Sequence, residues 1–288
     1  MNGWIILDKP SGITSAHAVA KVKRLLKPKK LGHAGTLDPL ASGVLPLALG
    51  EATKTMPYMV DAHKAYSFTV TWGEERDTDD SEGKAVKASQ KRPGRGEIEA
   101  ILPQFTGTIL QTPPAYSAIR VDGKRAYDLA RGGQQVELKA REITVNSLEI
   151  IEYSQNSTSF ICHCTKGTYI RGLARDMGRV LGCLGYISAL RRLRVGKFDE
   201  THAISLEVLE KEMYKGDLGF LWGIESALDD IPAVTLTETE AIRMQRGQNV
   251  VLPLDADSST MIARCNGKLV AICEWENGCL KPKRVFNL

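Results

Sequence analysis

His33-Ala34-Gly35-Thr36-Leu37-Asp38-Pro39-Leu40-Ala41-Ser42-Gly43 places one carboxylate between glycines, with Gly32 just ahead of the stretch. Two readings of Asp38 stand side by side. Asp before Pro is an ordinary helix start, with Asp as the cap, Pro39 at the first helical position and Gly43 at the end. Pro39 also keeps Asp38 out of the α region, so its carboxylate sits on a fixed, extended backbone. The glycines and the scarcity of bulky polar groups let a large ligand come close to the main chain. On that ground Asp38 is the candidate catalytic residue.

Working outward, Ser15 is expected to cap a helix running to about Leu26, with Val19, Val22 and Leu26 as its apolar stripe and Pro28 as its stop. The cations on its other face, Lys21, Lys23, Arg24 and Lys27, suit a helix C-terminus without any ligand. Val44 to Leu49 reads as a short buried strand, and Tyr66, Phe68, Val70 and Trp72 alternate with polar residues as a half-exposed one. Asp77-Thr78-Asp79-Asp80-Ser81-Glu82-Gly83 has the look of a calcium loop, but Gly83 falls one place late and no closing Glu follows, so a solvated loop is predicted. Residues 88–97 read as a mobile surface link. Strands are expected at about 142–153 and 158–165, then a helix from about 168 to 181 whose Ile170, Leu173, Ala174, Met177 and Leu181 share a face. Strands interrupted irregularly by helices indicate an α+β fold.

Ile231-Pro232 marks a boundary. Beyond it a short helix near 238–246 ends at Gly247, and two Asn-Gly pairs, Asn266-Gly267 and Asn277-Gly278, predict hairpins in a small β-rich unit.

Among 288 residues, 38 Lys and Arg against 34 Asp and Glu leave a net charge of only +4. The distribution is more telling: residues 1–60 and 164–200 each hold eight basic against three acidic residues, whereas 205–230 holds two against seven. Two basic segments that converge would suit a polyanion. The opening residues carry no basic run before an apolar one, and no apolar stretch is long enough to span a bilayer, so a cytoplasmic protein is expected. The six cysteines are read as reduced core thiols, and Cys162-His163-Cys164 as a strand rather than a metal site, since its cysteines share one face and zinc pairs are usually spaced more widely.

Lys166-Gly167-Thr168-Tyr169-Ile170-Arg171 ends a strand and opens a helix, with Thr168 as the expected cap. Arg171 then sits in the first turn, where a cation opposes the helix dipole by about 0.3–1 kcal/mol unless an anion lies nearby. Arg175 and Arg179 follow at helical spacing and are candidates for phosphate contacts. Leu190-Arg191-Arg192-Leu193-Arg194-Val195-Gly196-Lys197-Phe198 reads as a strand on a basic surface. Gln111-Thr112-Pro113-Pro114-Ala115-Tyr116-Ser117-Ala118 precedes a basic helical segment from Arg125 to Arg131.

Together these motifs resemble, in order, those of the TruB-type tRNA pseudouridine synthases, the family that modifies uridine-55 in the T-loop of tRNA. The stretches from Asp8 to Ser15, His33 to Gly43, Pro114 to Ala118, Lys166 to Arg171 and Leu190 to Leu193 carry the resemblance, which covers essentially residues 1–200. It implies a pseudouridine-synthase fold with a mixed, largely antiparallel sheet in residues 1–230, an RNA-clamping insertion at about 110–143, and a small PUA-like domain at 231–288. By matching position Asp38 is the catalytic aspartate, Arg171 its ion-pair partner and Tyr66 the ring stacked on the target base, and Tyr66 is also the nearest candidate for the base that handles the C5 proton. His33, Tyr169 and Leu190 would contact substrate, with Lys9 beside them. Lys54, Arg125, Arg175, Arg191 and Arg192 are the expected RNA contacts. The family's reaction needs no cofactor or metal, and its members act on the T-arm of tRNA without a guide RNA or a membrane, here expected as a monomer.

An aspartate of this kind either attacks the sugar at C1′ or removes a sugar proton, and the sequence leaves both open. Two other classes are weighed: an RNA-binding or RNA-folding module, and an aspartate-nucleophile hydrolase. The hydrolase wants a second acid two residues on, where this chain has Leu40.

Overall fold

The computed structural model describes residues 1–117, 119–121, 123–132, 134, 138–253 and 259–288. The chain opens on β1 (Gly3–Lys9), a mostly buried apolar strand, and turns into α1 (Ser15–Leu26). Thr14, rather than Ser15, caps this helix, its hydroxyl accepting from the His17 N–H at 3.0 Å. The Ser15 hydroxyl is buried and committed elsewhere: it donates to the Leu37 carbonyl at 2.9 Å and accepts from the Leu37 N–H at 2.8 Å. Thus α1 holds the loop that carries Asp38.

That loop lies between β2 (Leu31–His33) and β3 (Ser42–Leu49), which pair antiparallel. No helix starts at Asp38. The carbonyls that a helix would use are taken by neighbours, that of Pro39 by the Gly12 N–H at 2.8 Å and that of Leu40 by the Ser11 hydroxyl at 2.7 Å. Gly43 is already in β3, and its φ of +100° brings its backbone against Arg192, where a Cβ would lie 2.3 Å from the carbonyl oxygen.

The chain continues through α2 (Met56–Asp61) into β4 (Lys64–Trp72), whose alternate residues Tyr66, Phe68, Val70 and Trp72 are buried as predicted. β5 (Glu74–Arg76) and β6 (Ala85–Ala88) enclose the acidic turn. The predicted mobile link is instead tied down: Lys91 donates to the Leu181 carbonyl at 2.7 Å and Arg92 to Asn156 at 3.0 Å, and α3 (Arg95–Ile101) begins within it. After β7 (Gly107–Gln111) come the short strands β8 (Arg120–Val121) and β9 (Lys124–Arg125) and the helix α4 (Ala126–Arg131), before the return in β10 (Arg141–Tyr153). Arg141 pairs with Gln111, so the insertion leaves and rejoins the sheet at adjacent strand ends.

β11 (Ser157–Cys164), α5 (Ile170–Val180), β12 (Gly185–Val195), β13 (Phe198–Asp199), β14 (Ile204–Ser205) and α6 (Leu206–Lys215) complete the larger unit. Its sheet runs β14-β1-β3-β12-β4-β11-β10-β7, parallel at β14–β1 and β3–β12 and antiparallel elsewhere along that path. The predicted face of α5, from Ile170 to Leu181, is buried against it. Cys162 and Cys164 lie free and buried on one face of β11.

A second sheet, ordered β15-β17-β18-β19-β16, follows: β15 (Ala233–Thr235), α7 (Glu238–Gln245), β16 (Val250–Val251), β17 (Thr260–Cys265), β18 (Lys268–Glu276) and β19 (Cys279–Val285). Both Asn-Gly pairs have positive φ at both residues, as a tight hairpin turn requires, and join β17 to β18 and β18 to β19. Ile262, Leu269, Ile272 and Phe286 share a core with Trp4, Ile6 and Phe198, so the two sheets are packed together through apolar surface.

Candidate active site

Asp38 projects from its loop at the C-terminal side of β2, and Arg171 reaches it from the first turn of α5, 133 positions later. The guanidinium grips the carboxylate with two bonds, Nε to Oδ2 at 2.9 Å and Nη2 to Oδ1 at 3.1 Å. Two further N–H groups donate to the carbonyls of Thr78 at 2.8 Å and Tyr116 at 2.9 Å, and Asp80 lies 3.6 Å away. A two-pronged arginine–carboxylate pair fixes orientation as well as charge. Arg171 is 5 % exposed and Asp38 34 % exposed, so the cation lies behind the carboxylate while the carboxylate faces open space.

The predicted cap at this helix is corrected. Thr168 donates to the Thr165 carbonyl at 3.1 Å, and Gln111 caps the start from a distant strand, accepting from the Tyr169 N–H at 2.8 Å and donating to its carbonyl at 3.0 Å. The end of β7 therefore sets where Arg171 emerges.

Two recesses meet at Asp38 and Arg171. One, of about 260 Å³, is lined by Tyr66, Tyr169, Ile170 and Leu190, with Lys64 and Arg192 among its walls. The other, of about 350 Å³, is lined by His33, Asp80, Glu82, Tyr116 and Tyr127. The structure thus brings Asp38, Arg171, Tyr66, Tyr169 and Leu190 to one cavity and puts His33 across the loop in the second. Burial pushes the Tyr66 phenol above its ordinary pKa against the pull of Arg192, and burial likewise raises that of Tyr169. Both rings are therefore neutral near pH 7, apolar faces with a polar tip.

Lys9 does not line either recess and is fully buried. Its ammonium donates to the carbonyls of Ile13 at 2.6 Å, Pro10 at 3.0 Å and Pro39 at 3.4 Å. Lys9, expected beside the substrate contacts, is a brace under the Asp38 loop and not itself a substrate-contacting wall. Burial lowers its pKa to about 8, against the pull of Asp38.

The expected RNA contacts divide. Arg192 is 1 % exposed and points inward, donating to the Val44 carbonyl at 2.7 Å and the Gly35 carbonyl at 2.9 Å. Arg175 is 8 % exposed and bonded to Asp79, Asp176 and the Thr112 carbonyl. Both guanidiniums are buried and bonded to the protein's own acceptors, which corrects the expectation that they are surface contacts for RNA. Arg191 is partly exposed and paired with Asp8 at 3.0 Å and Glu200 at 2.5 Å, and it lines neither recess. Lys54 stands away from the cavity, bonded to Glu51 at 2.6 Å and to the Val285 carbonyl of the second sheet at 2.7 Å. The Arg125 side chain and Ala118 lie outside what the structure describes.

Sequence reasoning missed Lys64, Asp79 and Asp80. The acidic turn is not solvated: Asp79 is 6 % and Asp80 3 % exposed, held against the arginines of α5. Lys64 donates to the carbonyls of Val60 and Ala62, both at 2.5 Å, and burial lowers its pKa to about 8. Strand parity was the available signal, because Lys64 shares the inward face of Tyr66 and Phe68, as Arg192 shares that of Leu190.

A carboxylate held from behind by a buried arginine, beside an aromatic-walled cavity of about 260 Å³, has the geometry of a candidate active site. The family model for the "TruB family pseudouridylate synthase (N terminal domain)" matches residues 23–170, and that for the "tRNA pseudouridylate synthase B C-terminal domain" matches 171–256. A third, "Pseudouridine synthase II TruB, C-terminal", matches 232–286. The chain belongs to the TruB family of pseudouridylate synthases.

Among its relatives is the tRNA pseudouridine synthase B of Rhodopseudomonas palustris, 53 % identical over 298 residues that cover 100 % of this chain and 81 % of the relative. That of Brucella ovis is 49 % identical over 312 residues, covering 99 % and 96 %. Of solved structures, the "Crystal Structure of a Cbf5-Nop10-Gar1 Complex" contains a chain similar at a TM-score of 0.77 and 26 % identity, over 98 % of this chain and 84 % of that one.

Proposed function

We propose that this chain isomerises uridine-55 in the T-loop of tRNA to pseudouridine, with Asp38 as the catalytic group. The observation that carries the proposal is the Asp38–Arg171 fork, open on one side to a cavity that Tyr66 and Tyr169 line. Relatives about half identical along their full match bear the name tRNA pseudouridine synthase B.

The reaction breaks the N-glycosidic bond, turns the uracil while it stays bound and rejoins it through C5. A uridine inside a folded loop must first be flipped out, and an aromatic face replaces the stacking it loses. Tyr66, kept protonated by burial, supports such a stacking role better than the role of a base. Arg171 supplies the compensating charge as water leaves the cavity, and Leu190 closes its apolar side. Attack at C1′ and removal of a sugar proton both place the Asp38 oxygens next to the ribose.

The proposed division assigns residues 1–230 to catalysis, with the insertion at about 110–143 clamping RNA, and 231–288 to a PUA-like domain. The enzyme acts as a cytoplasmic monomer on the T-arm, without a guide RNA. Among the described residues no helix is long and apolar enough to cross a membrane. The test is incubation of purified protein with unmodified tRNA transcript, followed by carbodiimide treatment and reverse transcription. A stop marking position 55, without any added guide RNA, is expected; its absence, with binding retained, would favour the RNA-folding alternative.

A further inference from the structure

Arg175 lies one turn beyond Arg171 on α5, and its four hydrogen bonds have no part in the proposed chemistry. Two go to its neighbour Asp176, from Nε at 2.8 Å and Nη2 at 3.2 Å. The others repeat the pattern of Arg171. Arg171 donates to the carbonyls of Thr78 and Tyr116, while Arg175 donates to the Asp79 carboxylate at 3.0 Å and the Thr112 carbonyl at 2.8 Å. Both arginines thus fasten the same two segments, the acidic turn and the first residues of the insertion.

The coupling is direct at each segment. The Thr78 carbonyl belongs to the Thr78–Asp79 peptide, so the group that Arg171 grips is swung by the residue whose side chain Arg175 holds. Asp79 has φ +62°, an unfavourable conformation for a residue with a Cβ, which persists where its surroundings over-determine it. Its N–H donates to Arg76 and its carbonyl accepts from Ile187, both at 3.0 Å, and among the described residues Arg175 holds its side chain. On the other segment Pro113 and Pro114 separate Thr112 from Tyr116, and two fixed φ angles make that connection stiff.

We propose that Arg175 and Asp79 are positioning residues, a second anchor that sets both carbonyl acceptors of Arg171 and through Arg171 orients the Asp38 carboxylate. They touch no RNA. The inference rests on the proposed function, since its readout is pseudouridine formation.

The experiment is a double-mutant cycle on single-turnover rates at saturating tRNA, following tritium released from uracil C5. Arg175→Met is expected to lower the wild-type rate by about tenfold or more, yet change the rate of the Arg171→Lys enzyme by less than about twofold, because groups that act as a unit are not additive. Affinity for tRNA is expected to stay within about twofold, as no RNA contact is lost. Asp79→Asn, which keeps the shape and an acceptor oxygen, is run through the same cycle and decides the matter if Arg175→Met does not fold. Its expected loss is about three- to tenfold in the wild-type background, again absent beside Arg171→Lys. Equal losses in both backgrounds, or a loss appearing only in affinity, would overturn the positioning role. No release by the wild-type enzyme would instead sink the proposed function, and this inference with it.

Discussion

Arg171→Lys keeps a positive charge behind Asp38 and removes the fork. The guanidinium makes four bonds, two to the Asp38 carboxylate and one each to the Thr78 and Tyr116 carbonyls, all within 2.8–3.1 Å. An ammonium on a shorter arm cannot meet acceptors arranged around a planar group. Losing one charge-assisted bond costs about 1.5–3 kcal/mol, and leaving a buried carbonyl unpaired about 1–3 kcal/mol. If some 2–4 kcal/mol of this total is felt as misorientation of Asp38 in the transition state, the single-turnover rate falls by about 30- to 1,000-fold. The assay is tritium release at saturating tRNA, with affinity measured separately by filter binding. A rate within about threefold of wild type would show that charge alone suffices, and would refute the reasoning from the fork.

Gly43→Ala should destabilise the protein by about 2–5 kcal/mol in urea denaturation, from the positive φ and from a methyl group forced against the Arg192 backbone. Arg192→Met should lower stability by leaving the Val44 and Gly35 carbonyls unpaired, while the slope of log affinity against log salt stays unchanged; a phosphate contact there would reduce that slope by about 1. A pH effect follows from Asp79, whose carboxyl burial raises to about 6 among Arg175, Arg171, Arg179 and Glu75. Above that value it is ionised and holds Arg175, and below it the pair is lost, so the single-turnover rate should fall between pH 7 and pH 5 with a step near 6 that is missing in Asp79→Asn.

The strands around the site were legible because their pattern is local. Tyr66 to Trp72 alternate with period two, the face of α5 repeats with helical period, and each Asn-Gly pair specifies its own hairpin. What could not be read locally was decided by partners far along the chain. Asp79 and Asp80 resemble a solvated turn until α5, more than ninety positions later, lays Arg175 and Arg171 over them. Gln111 gives no sign of being a helix cap for residue 169, and Ser11 and Gly12 no sign of taking the carbonyls that would have made Asp38 a helix start. Arg175 and Arg192 were misread because arginine was taken as surface charge. In both cases the guanidinium is buried and its donors are spent on the protein's own carbonyls and carboxylates, which position the loop and the helix of the site.

Asp38 offers the most direct measurement. Wild-type protein and Asp38→Ala are each given tRNA tritiated at uracil C5, and release of label and tRNA affinity are followed together. Release from position 55 is expected of the wild type alone, with affinity nearly equal in the two proteins. Pseudouridine formed by the Asp38→Ala enzyme would contradict it.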